Sequence, residues 1–530
     1  MNLETRMSAP QHWADTIADA LISANPKQKR FICSSGISPS GVVHIGNFRD
    51  VITSELVRRA LEERGYEAEL MFSWDEYDRL RKVPKGVPEE FAQHLWKPLV
   101  EVPDPEGCHK SYAAHFEAPF EAVLPALGIH PRFVHQAEQY RKNSYYPGIK
   151  TALQKRRKIA EILARFKTQG MTPEELDNYF PLQVYCTSCK RSNATRITDY
   201  DEKDKVSYEC ECGHTETADI SKRNIGKLDW KVDWPMRWKH EGVSFEPGGE
   251  DHATPGGSFD VAKEIAKEIY EINPPLFQGY GFVGIEGVTK MSSSRGSGIT
   301  PKELLGIYEP ELLRWLFTRV DTKRTITLFF DDQIIRQYDE FDLAVRKKTA
   351  NELDPKEARS LDLAQLTSTD TLKPQAASFR QVASFGQIAQ GNIEELEEMF
   401  RRMGQEYTAS SLRQRLEKSQ TWIERFMPEL RISVGEEPNR GYYGQLDQPS
   451  REQIGSLVTR MDSCWDLPGL TTLVYDVPKR AGMGEVEKKT AQRDFFKHVY
   501  QMLIGKETGP RLPTFLLALG PERVRKLLKI

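Results

Sequence analysis

The sequence predicts an α/β protein, in which a doubly wound parallel sheet is split by a metal-binding insertion and followed by an all-helical C-terminal half. Three observations predict this fold class. A strand, a glycine-punctuated turn, a helix and a second strand follow one another over residues 30–74. Five of the seven cysteines lie within residues 108–212. Beyond residue 345, apolar residues recur with the period of a helix.

The first hundred residues open the predicted sheet. Residues 30–34 are predicted as a strand, a helix follows the turn and runs to about Arg64, and residues 67–74 form a second strand. Gly65 ends the helix. This order begins a doubly wound sheet, which binds ligands at the carboxyl ends of its strands. Asp75 lies at such an end.

The pattern changes near residue 100 and returns after residue 225. The sheet is predicted to resume near residues 228–230, to continue through 248–252 and to end beside the loop at 290–294. The predicted parts are the first half of the sheet (1–100), the insertion (101–225), the second half of the sheet (226–300), a mixed connector (301–345), a helical bundle (346–440) and a C-terminal helical domain (441–530).

Composition and charge restrict the class of protein but do not indicate a particular function. The chain has 530 residues, of which 39% are hydrophobic and 28% charged, and these values are ordinary for soluble globular proteins. The net charge of -3 does not by itself indicate a nucleic-acid partner. No apolar run approaches the roughly 20 residues of a membrane span. The clustered cysteines indicate metal in a reducing cytosol, so we expect a cytoplasmic protein.

Two short strings contain the most informative chemistry. Residues 37–47 form a turn with glycines that leads into a helix, with His44 near the helix start. Residues 290–294 read Lys-Met-Ser-Ser-Ser, a loop with one ammonium and three hydroxyls. Backbone amides at a helix N-terminus, an imidazole and an ammonium suit a triphosphate. His44 alone could equally cap or pack in its helix, but the pair predicts a nucleotide site.

These strings resemble the HIGH and KMSKS motifs of class I aminoacyl-tRNA synthetases, which activate an amino acid with ATP and transfer it to tRNA. The resemblance implies a Rossmann-like catalytic core. Two positions depart from the motifs: Asn47 stands at the fourth position of the first, and Ser293 replaces the second lysine of the second. Arg295 follows closely and could compensate for the missing ammonium.

Three further strings, at residues 73–84, 228–238 and 249–260, resemble the class I lysyl-tRNA synthetases. The resemblance implies that L-lysine reacts with ATP and Mg²⁺ to give lysyl-adenylate and is then transferred to the 3′ end of tRNA(Lys). It also implies that residues 101–225 guide the acceptor arm, that 301–345 resemble a stem-contact connector and that 441–530 bind the anticodon. A monomer is favoured.

The resemblance assigns residues to each step. His44, Asn47 and Lys290 are predicted to stabilise the phosphates during catalysis. The predicted ATP-binding residues are Pro39, Gly41, His44, Gly46, Asn47, Gly249, Asp251, Lys290, Ser292 and Ser293. The predicted lysine-binding residues are Gly36, Ser38, Asp75, Asp78, Trp230, His252 and Tyr280. Among these, Asp75 and Asp78 are the carboxylate candidates for the ε-ammonium. Trp234 and Trp238 fit core packing as well as a substrate wall.

Two groups of residues have the spacing of metal ligands. Cys186-x-x-Cys189 and Cys210-x-Cys212 are separated by twenty residues, which suits one tetrahedral Zn²⁺ in a ribbon-like knuckle. His214 could replace one of these cysteines, but a supporting role beside the ligands is favoured. The second group falls within twelve positions, and in the class I lysine family this stretch resembles another zinc site. Its residues are Asp104, Cys108, His109 and His115. The alternative for this second group is one buried cysteine with two surface histidines.

Three other functions compete with lysine–tRNA ligation. A class I synthetase of another specificity, such as glutamate, predicts a cationic residue where Asp75 and Asp78 stand. A non-catalytic tRNA-binding paralogue predicts loss of His44 or Lys290, and both are present. A nucleotidylyltransferase shares the histidine turn but does not explain the long helical C-terminal half.

Overall fold

A computed structural model describes residues 11–285, 298–367 and 376–530, apart from the side chain of Asp251. The chain divides into two compact units. The sheet unit comprises Met1–Leu305, Pro310–Leu328 and Ala350–Leu372, and the helical unit comprises Gly306–Glu309, Phe329–Thr349 and Lys373–Ile530.

Strands are confined to the first two-thirds of the described chain. They are β1 (Arg30–Ile37), β2 (Glu67–Trp74), β3 (Arg132–His135), β4 (Leu182–Val184), β5 (Thr195–Tyr200), β6 (Lys205–Cys210), β7 (Thr215–Asp219), β8 (Gly226–Leu228), β9 (Phe245–Gly249), β10 (Leu276–Tyr280), β11 (Val283–Ile285) and β12 (Ile326–Leu328). Most are short, and only β1 and β2 reach eight residues.

Five strands form the central parallel sheet in the order β10-β9-β1-β2-β3. β1 and β2 pair along their whole length, from Arg30 opposite Glu67 to Ile37 opposite Trp74. The strand order reverses between β1 and β9, and a doubly wound sheet binds its ligand at this switch point. The predicted fold class is therefore confirmed for the sheet.

Helices pack against the sheet and form most of the remaining regular structure of the described chain. They are α1 (Trp13–Ala24), α2 (Ile45–Glu62), α3 (Tyr112–Val123), α4 (Gln136–Arg141), α5 (Tyr146–Gln154), α6 (Arg156–Arg165), α7 (Pro173–Asp177), α8 (Trp230–Glu241), α9 (Glu250–Ala253), α10 (Ser258–Glu268), α11 (Pro301–Leu305), α12 (Pro310–Thr318), α13 (Gln333–Thr349), α14 (Pro355–Ala364), α15 (Phe379–Ile388), α16 (Ile393–Arg402), α17 (Ala409–Arg425), α18 (Arg440–Tyr443), α19 (Gln448–Arg460), α20 (Leu467–Asp476), α21 (Glu485–Ile504), α22 (Leu512–Leu519) and α23 (Pro521–Leu528). Among the described residues, every helix is too short or too polar to cross a lipid bilayer.

Two predicted features of the sheet need correction. β3 joins the sheet beside β2 although it lies within the range predicted as the insertion. Residues 228–230 do not resume the sheet, because β8 pairs antiparallel with β4 in a separate two-stranded sheet and Trp230 begins α8. The central sheet resumes only at β9.

The stretch between β3 and β9 has its own architecture. β5, β6 and β7 form an antiparallel three-stranded sheet, in which β5 and β6 pair between the two cysteine pairs. Buried side chains of this sheet, such as Val206 and Tyr208, join a core with Ile159 and Ile162 of α6. This core positions the cysteine pairs, because Cys186 and Cys210 are themselves among its buried residues.

The helical unit has a separate apolar core. Every regular element among its described residues beyond 376 is helical. Arg415 of α17 lies in this unit with an exposed fraction of only 3% and bonds the carboxylates of Glu309 and Asp342. Because both carboxylates stay paired with one buried guanidinium, this cluster costs less than isolated buried charges would.

Candidate active site

A cavity of about 440 Å³ lies at the switch point of the sheet. It is bounded by the carboxyl ends of β1, β2 and β9 and by side chains of α2 and α8. Eight of the predicted site residues line it: Gly36, Ser38, Asn47, Asp75, Trp230, Gly249, His252 and Tyr280. Residues separated by up to 244 positions in sequence therefore meet where the fold predicts a ligand.

Other predicted site residues do not line this cavity. Pro39, Gly41 and His44 belong to the adjoining turn between β1 and α2, and Gly46 belongs to the first turn of α2; none of these four residues is part of the cavity wall. Asp78 is also absent from the wall. The predicted residues Lys290, Ser292 and Ser293, together with the side chain of Asp251, lie outside the described residues.

His44 is the N-cap of α2, and its hydrogen bonds define which ring nitrogen can donate. The ring Nδ1 of His44 accepts a hydrogen bond from the backbone N–H of Gly46 at 3.1 Å. The backbone N–H of His44 donates to Oδ1 of Asn47 at 3.1 Å. Burial lowers the pKa of His44, which favours the neutral ring. A neutral ring with Nδ1 as acceptor has its proton on Nε2, so Nε2–H is the donor available to a ligand.

The chain that follows residues 290–294 returns to this turn. The carbonyl of Ile299 accepts a hydrogen bond from the backbone N–H of Ile45 at 2.8 Å. Gly298 approaches so closely that a Cβ at this position would lie 2.6 Å from Cβ of His44. Only glycine permits this approach without displacing the histidine.

Asp75 lies in the cavity wall, but cations of the protein already bind it. Its Oδ1 accepts from Nζ of Lys227 at 2.5 Å and from Nη2 of Arg237 at 2.9 Å. Burial acts to raise the pKa of Asp75, but these two cations outweigh it and hold that pKa well below its usual range. Asp78 pairs with Arg81 at 3.0 Å outside the cavity wall. Neither predicted carboxylate therefore offers an uncompensated charge to a ligand.

Two carboxylates that sequence reasoning missed line the same cavity: Asp50 of α2 and Glu246 of β9, together called the acidic pair. Asp50 is 7% exposed and accepts from the backbone N–H of Gly36 at 3.2 Å and from the hydroxyl of Tyr280 at 3.0 Å. Among the described residues, no lysine or arginine forms an ion pair with either member. The guanidinium of Arg237, which also lines the cavity, acts on Glu246 from beyond ion-pair distance, so Asp50 is the less compensated member of the pair.

The electrostatics of the acidic pair favour a cation in the cavity. Burial raises the pKa of Asp50 to about 6. Burial, with a contribution from the charge of Asp50, raises the pKa of Glu246 to about 7. A bound cation would stabilise the ionised forms and reverse these shifts.

Three tryptophans from one face of α8 form the apolar side of the cavity. Trp230, Trp234 and Trp238 follow one another at intervals of four residues, and neighbouring rings lie 4.9 Å apart. All three line the cavity, and Trp238 donates from Nε1 to Glu246 at 2.6 Å. Trp234 and Trp238 therefore belong to the buried core and also form part of the cavity wall. Their faces suit the methylene stem of a long side chain.

The four cysteines predicted as one metal site lie together. Their sulfur atoms all lie within 4.8 Å of one another, and the pairs Cys186–Cys212 and Cys189–Cys210 are each separated by 3.7 Å. A tetrahedral Zn²⁺ with Zn–S bonds of about 2.3 Å separates its sulfurs by about 3.8 Å. His214 is not part of this group, because its Nε2 lies 2.8 Å from the hydroxyl of Thr187.

The second predicted metal group also converges. Cys108 Sγ lies 2.9 Å from His109 Nδ1 and 3.5 Å from His115 Nδ1, and His115 Nδ1 lies 3.1 Å from Oδ1 of Asp104. These four side chains can surround one metal ion. Tyr112, between the ligands, donates from its hydroxyl to the carbonyl of Ser40 at 3.0 Å. Helix α3, which carries His115, therefore contacts the turn that precedes His44.

Comparison with known proteins identifies the family. The family described as tRNA synthetases class I (K) has a model that matches residues 11–367. The chain belongs to this family of class I tRNA synthetases. A lysine–tRNA ligase from Streptomyces coelicolor is 38% identical, over 97% of this chain and 98% of its own. A lysine–tRNA ligase from Pyrococcus horikoshii is 36% identical, over 98% of this chain and 99% of its own.

Among solved structures, a glutamate tRNA ligase from Elizabethkingia meningosepticum aligns with a TM-score of 0.42. It is 12% identical in sequence, over 94% of this chain and 98% of that chain. A likeness this distant does not bear on which amino acid the synthetase selects.

Proposed function

We propose that this class I synthetase is a lysine–tRNA ligase. It activates L-lysine with ATP to lysyl-adenylate and transfers the lysyl group to the 3′ end of tRNA(Lys). The observation that supports lysine best is the acidic pair, Asp50 and Glu246, in a cavity whose other side is a tryptophan wall. A carboxylate without a protein counter-charge suits an ammonium, and apolar rings suit its methylene stem.

Asp50 is the proposed partner of the ε-ammonium, in place of Asp75. It follows His44 by six residues of α2, and the helix rise of about 1.5 Å per residue places it about 9 Å below the helix N-terminus. This span suits an extended lysine whose carboxylate lies at the phosphates. Tyr280, Trp230 and His252 complete the predicted lysine site, with Gly36 and Ser38 beside the α-carbon.

Activation requires attack by the lysine carboxylate on the α-phosphorus of ATP, so the enzyme must hold two anions together. His44 donates from Nε2 to an α-phosphate oxygen, and Asn47 acts from the same end of the helix. Lys290 is eight residues before Gly298, which touches His44, so a chain reach of roughly 3.5 Å per residue allows its ammonium to meet the pyrophosphate. Mg²⁺ neutralises the phosphate charge when bound.

The remaining ATP contacts and the tRNA contacts follow the family pattern. Pro39, Gly41, Gly46, Ser292 and Ser293 are proposed to approach the phosphates, and Gly249 with Asp251 the ribose. We further propose that residues 101–225 guide the acceptor arm, that 301–345 contact the stem and that 441–530 bind the anticodon. The expected enzyme is a cytoplasmic monomer.

Structural Zn²⁺ is proposed for both cysteine-containing metal groups. Replacing Cys210 by serine should remove one zinc ion per chain and lower the Tm by at least about 5 °C, because metal binding contributes folding free energy. Replacing Cys464, which belongs to neither group, by serine is the matched control. Zinc analysis and thermal unfolding measure both quantities. An unchanged zinc content in Cys210→Ser would exclude this site.

Lysine binding should weaken in acid. Because the pKa of Asp50 is raised to about 6, the carboxylate loses its charge as the pH falls through this value. We expect kcat/KM for lysine in ATP–pyrophosphate exchange to fall about tenfold per pH unit below pH 6. In the pH profile of kcat, the acid limb should lie at lower pH, because the bound ammonium stabilises the ionised carboxylate of Asp50. A flat kcat/KM profile between pH 5 and pH 7 would contradict the role of Asp50.

Charging of tRNA with each of the twenty amino acids supplied separately tests the function. We expect product with lysine, and a signal at least about a hundredfold lower with each of the others. The same assay decides the glutamate alternative, which the acidic pair disfavours because it would repel a second carboxylate. Absence of a lysine signal in the presence of tRNA, ATP and Mg²⁺ would end the proposal.

A further inference from the structure

A third group of metal-type side chains lies behind the wall of the cavity. Glu76 follows β2, His135 ends β3 and Glu117 belongs to α3. One ligand atom of each side chain lies within 4.8 Å of those of the other two. None of the three takes part in the proposed chemistry of the cavity, and none belongs to the two cysteine-containing groups.

The separations within this group suit one small cation. Nδ1 of His135 lies 3.8 Å from Oε1 of Glu76 and 4.0 Å from Oε2 of Glu117. Nitrogen and oxygen ligands bind Zn²⁺ at about 2.0–2.2 Å, so at a bond length of about 2.1 Å these two separations subtend angles of roughly 130° and 145° at the metal. The three atoms can therefore share one ion, with water completing its coordination.

The charge of the group is uncompensated. Glu76 and Glu117 are only 2% and 6% exposed. Within the described part of the chain, the ion pairs of both carboxylates are formed with His135 alone. The backbone N–H groups of Gln136 and Ala137 donate to the two oxygens of Glu76 at 3.0 and 2.9 Å, which fixes the orientation of this carboxylate. Each carboxylate oxygen keeps a second lone pair for a metal.

An unsatisfied atom provides a separate indication of a missing ligand. Oε1 of Glu117 is buried and has no hydrogen-bond partner. A buried polar atom without a partner costs about 1–3 kcal/mol, so native proteins rarely leave one.

We propose that Glu76, Glu117 and His135 form a third metal site, for a divalent transition cation of the Mn²⁺ or Zn²⁺ type. One imidazole with two carboxylates suits such ions, and their charge offsets the two carboxylates. The ion would join the carboxyl ends of β2 and β3. Glu76 is adjacent in sequence to Asp75, and His135 is adjacent to Gln136. Asp75 and Gln136 both line the substrate cavity. The metal would thus hold that wall in place.

Mn²⁺ binding to the zinc-loaded full-length protein tests this site without depending on catalysis. Thiolates disfavour Mn²⁺, so the cysteine groups stay occupied by zinc, and omission of ATP leaves no nucleotide-bound metal. Titration followed by electron paramagnetic resonance should show one bound Mn²⁺ per chain. Glu117→Gln and His135→Asn should each weaken its affinity at least tenfold and abolish the rise in Tm that Mn²⁺ causes in the wild type.

Glu121→Gln is the matched control, because Glu121 lies one turn further along α3 and accepts from Nε1 of Trp74 instead. This variant should bind Mn²⁺ like the wild type. If Glu117→Gln does not fold, His135→Asn decides. Failure of the wild type to retain Mn²⁺ at neutral pH, or unchanged affinity in the folded variants, would overturn the proposal and leave Glu117 as a buried protonated acid.

Discussion

Replacing His44 by asparagine should lower the rate of lysine-dependent ATP–pyrophosphate exchange by about a hundred- to a thousandfold. The substitution removes the Nε2–H donor that is proposed to stabilise the α-phosphate. It keeps a good N-cap for α2, so the Tm should change little. The KM for lysine should also stay within a few fold, because the lost interaction acts in the transition state.

The alanine variant at the same position separates catalysis from capping. His44→Ala loses both the donor and the cap, so we expect the same loss of rate together with about 1 kcal/mol of stability. Near wild-type exchange by a folded His44→Asn variant would show that the imidazole does not act on the nucleotide. An equal loss of stability in both variants would show that the side chain chiefly supports the helix.

Replacing Asp50 by asparagine should raise the KM for lysine at least about a hundredfold. Loss of one partner from a buried charge pair typically costs about 2–5 kcal/mol. The amide oxygen can still accept from the N–H of Gly36, and the amide NH2 can donate to the hydroxyl oxygen of Tyr280. Removal of a buried charge should therefore leave the Tm unchanged or higher. The KM for ATP should stay within about threefold. Lysine and ATP titrations of the exchange reaction measure both constants.

Two other acids in the cavity supply controls for this result. Glu246→Gln should raise the KM for lysine less than tenfold if Asp50 binds the ammonium. Asp75→Asn should chiefly lower the Tm, because it removes the carboxylate that Lys227 and Arg237 share. Lys227 then keeps its ion pair with Asp78 at 4.0 Å, and Arg237 keeps its ion pair with Asp233. A larger lysine effect in either control than in Asp50→Asn, with the Tm preserved, would transfer the binding role to that residue.

Local sequence signals predicted the start of the sheet well. Residues 67–74 were predicted as a strand and are β2, and the predicted strand at 30–34 extends to Ile37 in β1. Each strand contains three consecutive apolar residues, and the helix between them ends at Glu62, shortly before Gly65. β3 escaped prediction because it has four residues and two of them, Arg132 and His135, are polar. Its place depends on the edge of β2, which its own residues do not specify.

The site shows a similar division between local and long-range information. The helix start at His44 could be recognised from the turn that precedes it. Asp50 was missed although it shares a face of α2 with Asn47, three residues earlier, and this spacing was the available signal. Asp75 was correctly placed at a strand end, but Lys227 and Arg237 follow it by more than 150 residues. Their pairing appears only when the fold brings them together.

A crystal structure with a non-hydrolysable lysyl-adenylate analogue tests the central claim most directly. The ε-ammonium should lie within about 3 Å of the carboxylate of Asp50, and Nε2 of His44 within about 3 Å of the oxygen at the α-phosphate position. The ammonium of Lys290 should face the same nucleotide. An analogue bound with its ε-ammonium against Asp75, or with Lys290 on the opposite side of the molecule from His44, would contradict the account.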